Sequence, residues 1–174
     1  LRDVAGDRSV RSIVLTGVDR DFCTGADAVR SNNSVTATRP LDYRWATRDY
    51  NDLFETLWRI EVPVVSAVNG AVAGAGWLLA LLADLVVAAE GARWTHVYLR
   101  RGMVPHAGDP YYLPRILPFH RLNELAMLGD PVTSDTLASW GVVNRLVPAA
   151  DVLTTATELA ERLAAGPTRS IGMA

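Results

Sequence analysis

Apolar and polar residues alternate along this chain in blocks that favour strands and helices in turn. Short apolar runs, several of them rich in β-branched residues, predict buried strands over residues 12–16, 62–68, 85–89 and 142–147. Helical spacing of apolar positions predicts helices over 42–60, 73–82, 111–116, 121–128, 134–140 and 150–165. Thr133 is the expected N-cap of the helix over 134–140 and Gly141 its stop. Because strands and helices take turns along the sequence, the pattern predicts an α/β fold.

The stretch 62–89 is almost wholly apolar and long enough to span a bilayer. Pro63 and a β-branched run open it, Asn69-Gly70 is typical of a turn, and Asp84 stands near its end. A strand, a glycine turn, a buried helix and a second strand explain these features better than a membrane helix does. We therefore expect no membrane partner.

Composition narrows the function classes. Apolar residues make up 49% of the 174 residues, and a net charge of −2 without long runs of one sign gives no reason to expect a nucleic-acid partner. The sequence contains no lysine, which excludes P-loop NTPases and enzymes with a Schiff-base lysine. The one cysteine, Cys23, excludes an internal disulfide, and three scattered histidines make a poor metal site. The first residues show no secretory signal pattern, so we expect a cytoplasmic protein.

Two glycine-bearing segments are candidates for chemistry. Residues 21–27 (Asp-Phe-Cys-Thr-Gly-Ala-Asp) follow the first predicted strand, where a small turn lets a ligand approach backbone N–H groups. Residues 69–76 (Asn-Gly-Ala-Val-Ala-Gly-Ala-Gly) lead into an apolar helix, whose first N–H groups favour a developing negative charge. Taken alone, the first segment is better explained as a tight turn and nothing more. Close helix–strand packing would also account for the small residues of the second.

Together the two segments resemble the crotonase (enoyl-CoA hydratase/isomerase) superfamily. The Gly-Met-Val-Pro segment at 102–105 and the helix–strand unit at 131–148 match further family motifs in the same order, so the resemblance covers nearly the whole chain. It implies a crotonase-like (ClpP/crotonase) α/β fold, a β-β-α superhelix, with residues 1–174 forming one acyl-CoA-binding core domain. Family chains extend further at both ends, so we expect a truncated chain that lacks the C-terminal trimerisation helices. The intact protein is then expected to be a homotrimer or homohexamer.

The resemblance also implies a substrate and an oxyanion hole. The substrate is an acyl-CoA thioester, whose carbonyl is polarised by two backbone N–H groups, those of Ala26 and Ala75. No cofactor is expected beyond the coenzyme A that the substrate itself carries. The residues expected to line the CoA and thioester site are Thr24, Gly25, Ala26, Asp27, Gly74 and Ala75.

The sequence departs from the family at both catalytic carboxylates. Hydratases add water with two glutamates, and here Leu78 and Tyr98 stand at those positions. His106, on the loop that several relatives use for catalysis, is a possible acid/base or a solvated loop residue. Asp109 is a candidate catalytic residue, but the favoured interpretation is that it caps the following helix. Tyr98 is either a core residue or a hydroxyl donor, and His96 and His120 are expected to be structural or surface residues.

Three functions therefore remain open. The first is an enoyl-CoA hydratase/isomerase-like enzyme with relocated acid/base groups, such as a hydrolase, decarboxylase or isomerase. The second is a true hydratase that uses unusual residues. The third is a protein that binds acyl-CoA without turning it over.

Overall fold

The computed structural model describes residues 1–26 and 40–173. The strands within these residues are β1 (Ile13–Thr16), β2 (Val64–Val68), β3 (Val72–Ala73), β4 (Leu85–Ala89), β5 (Arg93–Thr95), β6 (Val132–Thr133) and β7 (Arg145–Val147). The α-helices are α1 (Arg2–Gly6), α2 (Pro40–Arg59), α3 (Gly76–Leu81), α4 (Asp109–Ile116), α5 (Phe119–Leu128), α6 (Ser134–Ser139), α7 (Val152–Ala165) and α8 (Thr168–Gly172). Asp27, assigned above to the CoA site, lies outside the described residues.

The larger sheet contains four parallel strands in the order β1–β2–β4–β7. Its register places Ile13 opposite Val64, and Val65 opposite Leu85. Every residue of β2 is buried, as an apolar strand is when helices cover both faces of a parallel sheet. Strands joined by helical crossovers confirm the α/β class, and the predicted strand over 85–89 has the observed bounds of β4.

A smaller sheet, which the sequence pattern did not predict, has the order β3–β5–β6. β3 is parallel to β5, β5 is antiparallel to β6, and Cys23 forms a parallel bridge with Val72. The helix predicted over 73–82 is therefore wrong at its start. Ala73 is held in the sheet opposite Thr95, and Gly74, at a φ of +52°, turns the chain before α3 begins.

The strand predicted over 142–147 is likewise shorter than expected. The N–H of Val142 donates to the carbonyl of Leu137 at 3.0 Å and closes the end of α6 instead of joining the sheet. The predicted N-cap of α6 is confirmed, since the N–H of Thr136 donates to Oγ1 of Thr133 at 3.3 Å. Local hydrogen bonds at the helix end thus determine where β7 can start.

Apolar layers cover both faces of the larger sheet. Along β2, Val65 and Ala67 pack with α7, whereas Val64 and Val68 face the opposite layer. The opposite layer contains the largest buried side chains, which are Trp77, Trp94, Phe54, Leu57, Leu78 and Leu113. Burial of each such side chain contributes about 1.5–3 kcal/mol to the free energy of unfolding. This layer also carries the side chains of the candidate site.

The long apolar stretch over residues 62–89 can now be assigned to elements of the fold. Within residues 1–26 and 40–173, no helix has the length and apolar character needed to cross a bilayer. The stretch over 62–89 forms β2, β3, α3 and β4 in succession.

Candidate active site

The turn at Asn69 fixes the loop that follows β1. Its Oδ1 accepts a hydrogen bond from the N–H of Gly17 at 3.0 Å, and its Nδ2 donates to the carbonyl of Asp19 at 2.7 Å. A Cβ atom on Gly70 would lie 1.8 Å from the carbonyl oxygen of Arg20, so only glycine permits this approach. The loop therefore lies against the end of β2, and Cys23 follows it in the chain.

The two glycine-bearing segments of the sequence meet at this point. The N–H groups of Phe22 and Cys23 both donate to the carbonyl of Ala71, at 3.1 and 3.2 Å. The N–H of Ala73 returns a bond to the carbonyl of Cys23 at 2.9 Å. These bonds align the segment before Gly25 with the segment that precedes α3.

Gly25 brings the two segments into backbone contact. Its φ is +92°, and a Cβ atom placed on it would lie 3.1 Å from the carbonyl oxygen of Ala73 and 3.4 Å from the backbone nitrogen of Ala75. Ala75 is the N-cap residue of α3 and is partly exposed, and Ala26 is exposed. Within the described residues, neither Ala26 nor Ala75 donates its N–H to a backbone carbonyl. Of the two predicted oxyanion donors, Ala75 therefore takes part in the backbone contact of Gly25 and Ala26 directly follows Gly25 in the chain. Thr24, which precedes Gly25, is exposed.

A row of aromatic side chains lies on one face of β5 and its continuation. Trp94, His96 and Tyr98 are buried, whereas Thr95 and Val97 between them are partly exposed, which is the alternation of an extended chain. Ring centroids are 5.0 Å apart between His96 and Tyr98. Trp77 of α3 packs edge-on against both Trp94 (5.2 Å) and His96 (6.1 Å). Tyr98, expected at the position of the second family glutamate, therefore lies in the core.

Asp109 reaches the same row from the start of α4. Its Oδ2 lies 3.1 Å from Nε2 of His96, and each side chain is 2% exposed. The expectation that Asp109 caps α4 is wrong. The N-cap residue is Gly108, no side chain caps this helix, and the carboxyl of Asp109 turns into the core to meet His96.

The electrostatics of Asp109 follow from this burial. Loss of hydration raises the pKa of its carboxyl above the usual range. The hydrogen bond from His96, the positive charges of His96 and His106, and the hydroxyl of Tyr98 act in the opposite direction and lower the pKa in part. Asp109 is thus linked to three residues, of which His96 and Tyr98 follow β5 and His106 lies in the loop before α4.

His106 lies at the outer end of the row. Its ring is 4.9 Å from that of Tyr98, and the residue is partly exposed. Nδ1 of His106 lies 3.1 Å from the carbonyl oxygen of Val104, which can only accept a hydrogen bond, so Nδ1 carries the proton. In the neutral imidazole the lone pair is then on Nε2, the form that a general base requires.

Leu78 and Tyr98, which the sequence analysis expects at the two glutamate positions of the family, both lie in the protein interior. Leu78 is fully buried and Tyr98 is 4% exposed. The structure thus brings Tyr98, His106 and Asp109 together as the sequence analysis grouped them. The structure adds His96 to this group, and the sequence signal that could have indicated it is the spacing of His96 two residues from both Trp94 and Tyr98. His120 is exposed on α5, as expected. Among the described residues, no three His, Cys, Asp or Glu side chains gather as metal ligands do.

Comparisons with known proteins agree with this geometry. The family model described as enoyl-CoA hydratase/isomerase matches residues 1–174. The chain is 35% identical to the 1,2-epoxyphenylacetyl-CoA isomerase of Escherichia coli K12, over 99% of this chain and 66% of that protein. It is 32% identical to a 4-chlorobenzoyl coenzyme A dehalogenase of Arthrobacter sp, over 96% of this chain and 60% of that protein. The chain thus spans just under two thirds of the length of these relatives.

Solved structures give the same result for the fold. The crystal structure of an enoyl-CoA hydratase from Polaromonas sp. JS666 superposes with a TM-score of 0.90 at 31% identity, over 99% of this chain and 68% of that chain. The crotonase-like fold expected from the motifs is confirmed by this match. The chain belongs to the enoyl-CoA hydratase/isomerase family of the crotonase superfamily.

Proposed function

We propose that the protein acts on an acyl-CoA thioester whose carbonyl oxygen is held by the backbone N–H groups of Ala26 and Ala75. The observation that supports this most directly is the contact of Gly25 with Ala75, with 3.4 Å between a Cβ position on Gly25 and the nitrogen of Ala75. Such a contact brings two backbone segments to one place, where two N–H groups can share one oxygen. Paired donors of this kind stabilise an enolate or a tetrahedral oxyanion.

The proton-transfer group of this proposal is His106. In the step we propose, Nε2 of His106 takes a proton from the α-carbon of the acyl group, and the C–H electron pair moves toward the thioester carbonyl. The resulting enolate oxygen is held by the two N–H groups. If the acyl chain is β,γ-unsaturated, return of the same proton to the γ-carbon moves the double bond from the β,γ to the α,β position and restores the carbonyl, so no oxidant or reductant is required. Proton transfer by a positioned side chain contributes roughly 10²–10⁴-fold in rate.

Hydration is the family reaction that these residues support least. Water addition needs one group to activate water and another to protonate carbon, and Leu78 supplies neither. Isomerisation, hydrolysis or decarboxylation needs fewer carboxylates. The E. coli relative is named as a 1,2-epoxyphenylacetyl-CoA isomerase and the Arthrobacter relative as a 4-chlorobenzoyl coenzyme A dehalogenase, so thioesters with ring-bearing acyl groups belong in any substrate panel.

An acyl-CoA-binding protein without turnover is the second candidate. It is favoured by the inaccessibility of two candidate polar residues, since Tyr98 is 4% and Asp109 2% exposed. Such a protein would keep the oxyanion contacts as a binding site. Its partners, like those of the enzyme, would be acyl-CoA and copies of itself as a homotrimer or homohexamer, in a cytoplasmic setting and without a further cofactor.

The deciding experiment measures binding and turnover on one panel of thioesters. Calorimetry with acetyl-, crotonyl-, phenylacetyl- and longer acyl-CoAs should show saturable binding that exceeds the binding of free coenzyme A. Product analysis of the same mixtures then separates an enzyme, which converts at least one thioester, from a binding protein, which converts none. Absence of binding to every thioester would contradict both candidates. Light scattering tests the trimer or hexamer, which a stable monomer would exclude.

A further inference from the structure

We propose that His96 and Asp109 are positioning residues, a buried pair that acts through Tyr98 to hold His106 in the place and charge environment that proton transfer requires. This inference deepens the proposed function and rests on it. His106 remains the group that meets the substrate. His96 and Asp109 do not touch the substrate in this proposal.

The contacts form a continuous path from the interior to the loop. Nε2 of His96 and Oδ2 of Asp109 are 3.1 Å apart, and the His96 ring is 5.0 Å from the Tyr98 ring. The Tyr98 ring is in turn 4.9 Å from the ring of His106, at an interplanar angle of 71°. A displacement of the inner pair would therefore displace His106 through the ring of Tyr98.

Some buried polar atoms of this path, and one of the adjacent Trp77, lack hydrogen bonds. Nδ1 of His96, Oδ1 of Asp109 and Nε1 of Trp77 are buried and have no hydrogen-bond partner within the described residues. Each buried polar atom without a partner lowers the free energy of unfolding, and a site selected for stability alone would carry apolar side chains here. Groups kept in the interior at such a cost are typical of functional sites.

Charge links the inner pair to the loop as well. The ionisable groups that act on the Asp109 carboxyl are His96, Tyr98 and His106, and the cation of His106 stabilises its charged form. From α3, the side chains that face this region are Trp77 and Leu78, which carry no charge. The carboxyl of Asp109 thus interacts with His106 electrostatically as well as through the rings that lie between them.

The test compares Asp109→Asn and His96→Gln with two matched surface variants. Asp130→Asn changes a carboxylate that is 75% exposed and 3.8 Å from Arg100, and His120→Gln changes an exposed histidine of α5. On the best thioester of the panel, kcat in each inner variant should fall roughly tenfold or more while KM changes less than about twofold. The pH profile of kcat in Asp109→Asn should differ from that of the wild-type protein, because the variant lacks the carboxyl whose pKa is raised by burial. The two surface variants should match the wild-type protein.

Nuclear magnetic resonance of the histidine rings supplies a readout that needs no turnover. In Asp109→Asn the ring resonances of His106 should move from their wild-type positions, because the contact path from the inner pair is changed. His96→Gln should move them as well, and it serves as the test if the Asp109 variant does not fold. An unchanged rate, pH profile and set of His106 ring resonances in a folded variant would overturn the inference. If the wild-type protein converts no thioester, the proposed enzymatic function fails, and the ring resonances alone then decide whether the inner pair is coupled to His106.

Discussion

Leu78 packs against Gly108, with its Cδ1 atom 3.6 Å from the position that a Cβ on Gly108 would take. Leu78 is the residue expected at the position of the first family glutamate, and Gly108 belongs to the loop between His106 and Asp109. The side chain that faces this loop from α3 is thus apolar, and it is fully buried in the larger apolar layer.

Hydration of crotonyl-CoA is therefore expected to be weak or undetectable. Without a base for the water and an acid for the α-carbon, the rate should be lower than that of an ordinary hydratase by on the order of 10⁴-fold or more. Loss of the enoyl-thioester absorbance with purified protein measures this rate. A rate close to that of an ordinary hydratase would show that other residues replace the two glutamates.

Replacement of His106 by alanine should lower turnover of the best thioester by roughly 10²-fold or more, since a general base would be removed. Binding of the thioester, measured by calorimetry, should change little. His120→Ala is the matched control, because His120 is exposed on α5. If His106→Ala keeps both the wild-type rate and the wild-type pH profile, His106 is a surface residue of the loop.

Gly25→Ala should weaken acyl-CoA binding and lower stability. At a φ of +92° the added Cβ is strained by about 1–2 kcal/mol, and it also presses on Ala73 and Ala75. Gly91→Ala provides the control, because Gly91 has a φ of +68° and nothing within 4 Å of its Cβ position. Calorimetry and thermal unfolding should show lower stability in both variants but weaker binding only in Gly25→Ala. Equal acyl-CoA affinities in the two variants would show that Gly25 does not contribute to the thioester site.

Asp109→Asn should change how stability depends on pH. Because burial raises the carboxyl pKa of Asp109 in the folded protein, the native state binds its proton more tightly than the unfolded state does. The contribution of Asp109 to stability is therefore fully present below its unfolded pKa of about 3.9 and is lost as pH rises through the folded value. Denaturant unfolding should show the variant gaining stability relative to wild type as pH rises across this window. A pH-independent difference between the two proteins would contradict the raised pKa.

Much of the architecture could be predicted from local sequence. The bounds of β4 and the N-cap at Thr133 agree with the structure, because a β-branched apolar run and a threonine before a helix act within a few residues. The turn at Asn69-Gly70 was also predicted, since its side-chain bonds and the absence of a Cβ are properties of these two residues. The order of the family motifs indicated the fold that the comparisons confirm.

The smaller sheet and the inner pair were decided by tertiary structure alone. β3 has only two residues, and its pairing with Cys23 and β5 depends on chain segments that are distant in sequence. Asp109 looked like a helix cap because the first residues of a helix favour that role locally. Asp109 is buried beside His96, thirteen positions earlier in the chain, and the rings of Trp77 and Tyr98 pack against that histidine. Local spacing fixes which residues can form strands and helices, whereas the loss of hydration that sets the chemistry of Asp109 arises only when separate elements pack together.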